Sequence, residues 1–170
     1  TSKVVLDLVS EFSNFNLYWL ESPIDEEIQN IPQLKIIKEK LNHKGIKLAG
    51  LENKILKQGF EEFVKQNSHD VMMPDVKYAG GPDEIFKINK FLSKHNIEFS
   101  PHNPSGPIAH AHSIQICSVS SSPFLEYQYK ETEKFNSIVS PHNQKIINGK
   151  IKTDFSDYGI GLHINEVEFT

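Results

Sequence analysis

His69-Asp70-Val71-Met72-Met73-Pro74-Asp75-Val76-Lys77-Tyr78-Ala79-Gly80-Gly81 is the stretch around which the rest of the chain is ordered. Val71 to Met73 is an apolar run short enough for a buried strand. Pro74-Asp75 stands where that strand should stop. Gly80-Gly81 and Pro82-Asp83-Glu84 then open a helix, since proline suits a first turn and acids suit its positive end. An ionisable side chain therefore falls at the carboxyl end of a buried strand, just ahead of a crossover helix. In parallel α/β proteins that is where chemistry is usually placed.

The arrangement repeats in both directions. Upstream, Ile46 to Leu51 predicts a strand ending in Glu52, followed by a helix over 55–66. Before it, a helix over 32–43 turns Leu34, Ile37 and Leu41 inward, and Gly45 caps it. Earlier still, Leu17-Tyr18-Trp19-Leu20 predicts a strand ending in Glu21, after an amphipathic helix over 2–14. Downstream, a helix through Ile85, Ile88 and Phe91 leads to a strand over 97–100, ending at Pro101-His102. A helix over 107–119 precedes a last strand, Phe124-Leu125-Glu126-Tyr127. Glu21, Glu52, Asp75, His102 and Glu126 are separated by 31, 23, 27 and 24 residues, each the size of one β-α unit. Five such units predict a parallel sheet with right-handed crossovers. The sheet is either open and doubly wound or part of a closed eight-stranded (β/α) barrel. In both cases the five side chains gather at one end.

After Tyr127 the rhythm stops. Residues 129–136 are polar, Ile146 to Ile151 reads as a hairpin on Asn148-Gly149, and Tyr158 to Ile164 reads as a turn and short strand. Domain organisation is accordingly 1–127 as barrel segment and 128–170 as an extension.

The totals exclude several classes. A net charge of -4, with no basic stripe, argues against a nucleic-acid groove. All 18 basic residues are Lys, so the bidentate fork of Arg is missing and an anionic substrate needs Lys, backbone amides or a metal. No apolar run approaches the roughly 20 residues of a membrane span. The single Cys117 permits no internal disulfide and fits a reducing compartment, so a cytoplasmic location is expected.

Each candidate has a bland reading. Glu21 or Glu52 alone is as well explained as a solvated strand end. Together, at adjacent strand ends, they make an oxygen-ligand pair suited to Mg²⁺. Asp75 could merely cap a helix, and His102 could be a loop histidine between Pro101 and Pro104. As neighbours, the carboxylate can hold the imidazole in one tautomer and raise its basicity. Glu126 is the weakest of the five. The other seven histidines read as ordinary: His110 and His112 face different sides of their helix, and His43, His69 and His95 fall at helix ends or turns. Neither G-x-G-x-x-G nor a Walker pattern is present.

In register, Trp19-Leu20-Glu21-Ser22-Pro23, Leu48-Ala49-Gly50-Leu51-Glu52, Met73-Pro74-Asp75-Val76 with Gly80-Gly81, Ser100-Pro101-His102-Asn103-Pro104-Ser105-Gly106-Pro107 and Leu125-Glu126 resemble the barrel domain of the mandelate racemase/muconate lactonising enzyme family, in the enolase superfamily. The resemblance covers nearly the whole chain, and Asn148-Gly149-Lys150-Ile151 with Gly159-Ile160-Gly161-Leu162 is similar to that family's return toward its capping domain. It implies a partial TIM barrel in which Glu21 and Glu52 are two of three carboxylate ligands of Mg²⁺. It makes Asp75 and His102 a dyad with His102 as general acid/base, and Glu126 a hydrogen-bonding partner of an enolate-like intermediate. The implied chemistry is removal of a proton α to a carboxylate, and the Pro101 to Pro107 stretch most resembles sugar-acid dehydratases of the galactonate type. A small sugar acid is then the expected partner, in a homo-oligomer.

The sequence departs from the family at Ser22, at Leu51 where glycine is frequent, and at Tyr158 where proline is common. The family's Lys-x-Lys strand, first metal aspartate and capping domain have no counterpart here, so the chain is expected to be the carboxy-terminal part of a longer enzyme. Such a segment alone is expected to bind Mg²⁺ weakly and to turn over nothing. The competing readings are a flavodoxin-like binding domain and a half-barrel serving as an assembly module.

Overall fold

The computed structural model describes residues 2–120, 122, 124–128, 137–140, 146–152 and 156–166. Helix α1 (Ser2–Phe12) leads to strand β1 (Trp19–Glu21), a single 3-10 turn (Ile28–Asn30) and α2 (Ile31–Asn42). Then follow β2 (Lys47–Gly50), α3 (Gln58–Lys65), β3 (Val71–Met72), α4 (Pro82–Lys94), β4 (Glu98–Phe99) and α5 (Pro107–Val119). The helix starts follow the local chemistry. Pro32, Pro82 and Pro107 stand in the first turns of α2, α4 and α5, where a missing N–H leaves no bond unmade. Gly81 precedes α4 at φ 87°, a conformation that excludes most side chains.

The four strands pair in parallel in the order β1-β2-β3-β4, with Leu20 opposite Leu48, Ala49 opposite Val71 and Met72 opposite Phe99. Chain order and spatial order coincide, so the sheet never reverses direction as a doubly wound sheet must. This resolves the choice left open by periodicity and excludes the flavodoxin-like arrangement. Leu34, Ile37 and Leu41 of α2, Phe60 and Phe63 of α3, and Ile85, Ile88 and Leu92 of α4 bury one face of the sheet together with Leu48, Met72 and Phe99. The opposite face carries a smaller cluster of Ala49, Val71 and Met73 against Trp19. Apolar side chains on both faces are what a parallel sheet requires.

One predicted strand is corrected. Phe124 to Tyr127 forms no ladder; it lies beside β4 and is held by side chains instead. Ser100 Oγ donates to the Phe124 carbonyl at 3.5 Å, and Asn103 Nδ2 donates to the Glu126 carbonyl at 2.9 Å. The described sheet is therefore four-stranded, not five-stranded. In the tail, β6 (Ile146–Ile147) and β7 (Lys150–Ile151) pair antiparallel around Asn148 (φ 50°) and Gly149 (φ 71°), the two positive φ angles of a type I′ turn. β5 (Val139–Ser140) pairs antiparallel with β8 (His163–Ile164). The polar stretch 129–136 lies outside the described residues.

The two ends of the sheet differ in kind. At the amino ends, Lys47 donates to Tyr18 Oη at 2.6 Å and pairs with Glu98, leaving that end's polar groups mutually satisfied. The carboxyl ends carry the candidate residues.

Candidate active site

Glu21 is the last residue of β1, and Glu52 lies two residues beyond β2. Asp75 and His102 each lie three residues beyond β3 and β4. Because neighbouring strands run parallel and in register, the same offset brings Asp75 and His102 together. His102 Nδ1 lies 3.1 Å from Asp75 Oδ2. Asp75 is fully buried, and its second oxygen accepts the Lys77 N–H at 2.7 Å, while Lys77 Nζ stands 3.4 Å from Oδ2. On the other side of the ring, His102 Nε2 lies 3.2 Å from Glu52 Oε2 and 4.0 Å from Glu126 Oε2. Glu126 Oε2 in turn accepts the Asn103 N–H at 2.7 Å.

An acceptor-only carboxylate beside each ring nitrogen favours hydrogens on both, which is the imidazolium. Burial, the strongest single influence on His102, works to lower its pKa. The hydrogen bond to Asp75 and the charges of Glu52, Glu126 and Asp75 outweigh it, and the pKa is raised above the ordinary 6.5. Asp75 shows the reverse balance: burial pushes its pKa up, but His102 and the Lys77 amide and ammonium hold it below 3.8. Burial also raises the Glu21 carboxyl above 4.5, helped by repulsion from Glu126 and Glu52, with His102 and Trp19 opposing.

These shifts have opposite consequences for stability. The His102 imidazolium contributes fully below pH 6.5, and its contribution is lost as pH rises through the higher folded value. The Asp75 carboxylate contributes above pH 3.8, and its contribution is lost as pH falls through its lowered value. An Asp75→Asn substitution is expected to lower the His102 pKa, followed by NMR titration of the ring protons. An unchanged titration would show that Asp75 does not hold the ring.

Side chains beyond the five candidates pack around them. Asn103 is buried: its Nδ2 also lies 2.7 Å from His110 Nδ1, and its Oδ1 accepts Ser113 Oγ at 3.3 Å. Burial pushes the His110 pKa down to about 4, so it stays neutral and accepts from Asn103. His69 is likewise fully buried, 2.8 Å from Ser68 Oγ through Nδ1 and 3.1 Å from Glu26 Oε1 through Nε2. The spacing in the chain, 43 residues between Glu26 and His69, offered no signal of this contact. Burial raises the Cys117 thiol to about 12, which leaves it inert as a nucleophile.

The donors here suit a hard divalent cation. Glu126 and Glu52 stand near enough to Glu21 to repel its carboxylate, an unfavourable accumulation that such a cation would relieve. Among the described residues, no three His, Cys, Asp or Glu side chains are arranged as a ready metal cage. Glu52 is instead the partner of His102 Nε2 in this arrangement.

A sheet of consecutive β-α units in sequential order, with a buried carboxylate–histidine pair at its carboxyl end, is the arrangement of a segment of an α/β barrel. Residues 2–168 match the enolase C-terminal domain-like family, and the chain belongs to that family. It is 26% identical over 166 residues to a D-galactonate dehydratase of Verminephrobacter eiseniae (strain EF01-2), covering 94% of this chain and 42% of that protein. The fold is similar to that of the 3,6-anhydro-D-galactonate cycloisomerase from Zobellia galactanivorans, with a TM-score of 0.88 at 22% identity over 99% of this chain and 46% of that one. It is also similar to a mandelate racemase/muconate lactonizing enzyme from Jannaschia sp. CCS1, with a TM-score of 0.80 at 21% identity over 98% of this chain and 41% of that one. The chain therefore spans less than half the length of these relatives. No helix among the described residues is long and apolar enough to cross a membrane.

Proposed function

We propose that the protein of which these residues form the catalytic face removes a proton α to a carboxylate and expels water from a sugar acid, with Mg²⁺ as its metal. The observation that carries this reading is the His102–Asp75 pair at 3.1 Å, with Glu52 and Glu126 facing the other edge of the same ring. His102 is the general acid/base: the neutral ring can take the α-proton, and the imidazolium can protonate the departing hydroxyl so that it leaves as water. Asp75 holds the Nδ1 hydrogen in place, which leaves Nε2 as the working nitrogen. Glu21 and Glu52 would hold Mg²⁺, which when bound stabilises negative charge developing on the substrate carboxylate. In that service Glu52 would leave His102 Nε2 facing the substrate. Glu126, anchored by the Asn103 amide, would hydrogen-bond the enolic oxygen.

The similarity to a D-galactonate dehydratase supports a sugar acid as substrate. The cycloisomerase likeness supports a second outcome on the same machinery, in which the α-proton moves without loss of water. Incubating the natural-length protein with a panel of sugar acids in D₂O separates them, with Mg²⁺ and then with a chelator. Dehydration gives an α-keto acid. Racemisation or epimerisation gives α-deuteration without it, whereas a cycloisomerisation that breaks a ring C–O bond retains the elements of water, so mass separates its product from the dehydration product, which is lighter by one water. We expect metal-dependent α-keto acid; metal-independent turnover, or none on any sugar acid, would sink the reading.

A further inference from the structure

Between the two candidate metal carboxylates lies a third that neither the catalytic reading nor the family comparison uses. Glu26 sits in the loop after β1 with its side chain only 10% exposed. Its Oε2 accepts the Leu51 N–H at 2.7 Å, and its Oε1 meets His69 Nε2 at 3.1 Å and Ser22 Oγ at 3.4 Å. Leu51 immediately precedes Glu52, and Ser22 immediately follows Glu21. The one carboxylate therefore ties the exit of β1 to the exit of β2, at the residues flanking both candidate ligands.

The backbone at those two places needs holding. Ser22 has φ 41° and Leu51 has φ 73°, left-handed conformations that residues with a β-carbon adopt reluctantly. Such outliers persist only where their surroundings over-determine them. Gly50 makes room for the clamp, since a β-carbon there would come within 1.8 Å of Glu26 Oε1. Ser68 and His69, both fully buried, fix the far side of the carboxylate and prevent it from swinging away.

We propose that Glu26 is a positioning residue that sets the Glu21–Glu52 pair in its metal-binding geometry, acting through the Leu51 amide on one side and Ser22 on the other, with His69 as its buried anchor. The role rests on the reading of Glu21 and Glu52 as ligands. Outer-shell partners of ligating carboxylates typically govern metal affinity by about 10–100-fold. Glu26 does this without contacting the metal.

The test is the affinity of the natural-length protein for Mn²⁺ alone, counted as free ion by electron paramagnetic resonance, with no substrate present. Glu26→Met fills the same space without an acceptor and is expected to weaken binding about 10–100-fold. Glu26→Gln keeps an acceptor for Leu51 and a donor for His69, and it should recover most of the affinity. A Gln variant as weak as the Met variant would make Glu26 a ligand and overturn the positioning role. A folded Met variant with unchanged affinity would overturn it as well. Should the Met variant not fold, Glu26→Asp retains the charge but draws the oxygens back from Leu51; weakened binding then supports the proposal and unchanged binding refutes it. Wild-type protein that binds no Mn²⁺ would instead overturn the metal reading itself, and this proposal with it.

Discussion

Substituting His102→Asn in the natural-length protein is expected to lower the proposed sugar-acid turnover about 10²–10⁴-fold, while its Mg²⁺ affinity stays close to that of the wild type. Asparagine can still donate a hydrogen bond toward Asp75, but it can neither accept the α-proton nor deliver one to a departing hydroxyl. His102 lies between Asp75 at 3.1 Å and Glu52 at 3.2 Å, so its removal also takes away a positive neighbour of the carboxylates. If the imidazole is an acid/base, steady-state rates fall and isothermal titration with Mg²⁺ barely changes. A comparable loss of metal binding would identify His102 as a ligand and reassign the dyad.

The second large effect concerns stability. Phe60→Ala is expected to cost about 3–5 kcal/mol, a large part of the roughly 5–15 kcal/mol that holds a typical domain folded. Phe60 is fully buried in α3, within the core that fills the space between helices and sheet. Interiors are packed as densely as organic crystals, so neighbours close a ring-sized void only in part. Urea denaturation followed by circular dichroism should show a lower midpoint with an unchanged slope. A shift below about 1 kcal/mol would mean that α3 does not pack as described.

Where the candidate residues stand along the sheet could be read from the sequence alone. Glu21, Glu52, Asp75 and His102 were placed at strand ends because short apolar runs stop at a charge or a proline, once per β-α unit. That regularity is local, and local patterns survive in sequence. Its limits are equally physical. Phe124 to Tyr127 has the composition of a strand, yet Ser100 and Asn103 supply its carbonyls with side-chain donors, and no ladder forms. The strand pattern was real, but hydrogen-bond partners from elsewhere in the chain decided the outcome. His110 looked like an ordinary helix residue; its contact with Asn103 depends on how the loop after β4 folds back onto α5.

By itself the sequence determined the β-α rhythm, the helix starts at Pro32, Pro82 and Pro107, the turn at Asn148-Gly149, and the identity of the ionisable groups at the strand ends. These follow from side-chain periodicity and from backbone preferences acting over a few residues. Only the tertiary structure decided that the strands run β1-β2-β3-β4 without reversal, because that order depends on which face of the sheet each helix covers. It alone brought Glu26 to His69 and to the amide before Glu52, across 43 and 25 residues of chain. Contacts of that kind are made by packing, where a buried carboxylate must find its donors wherever the fold has placed them.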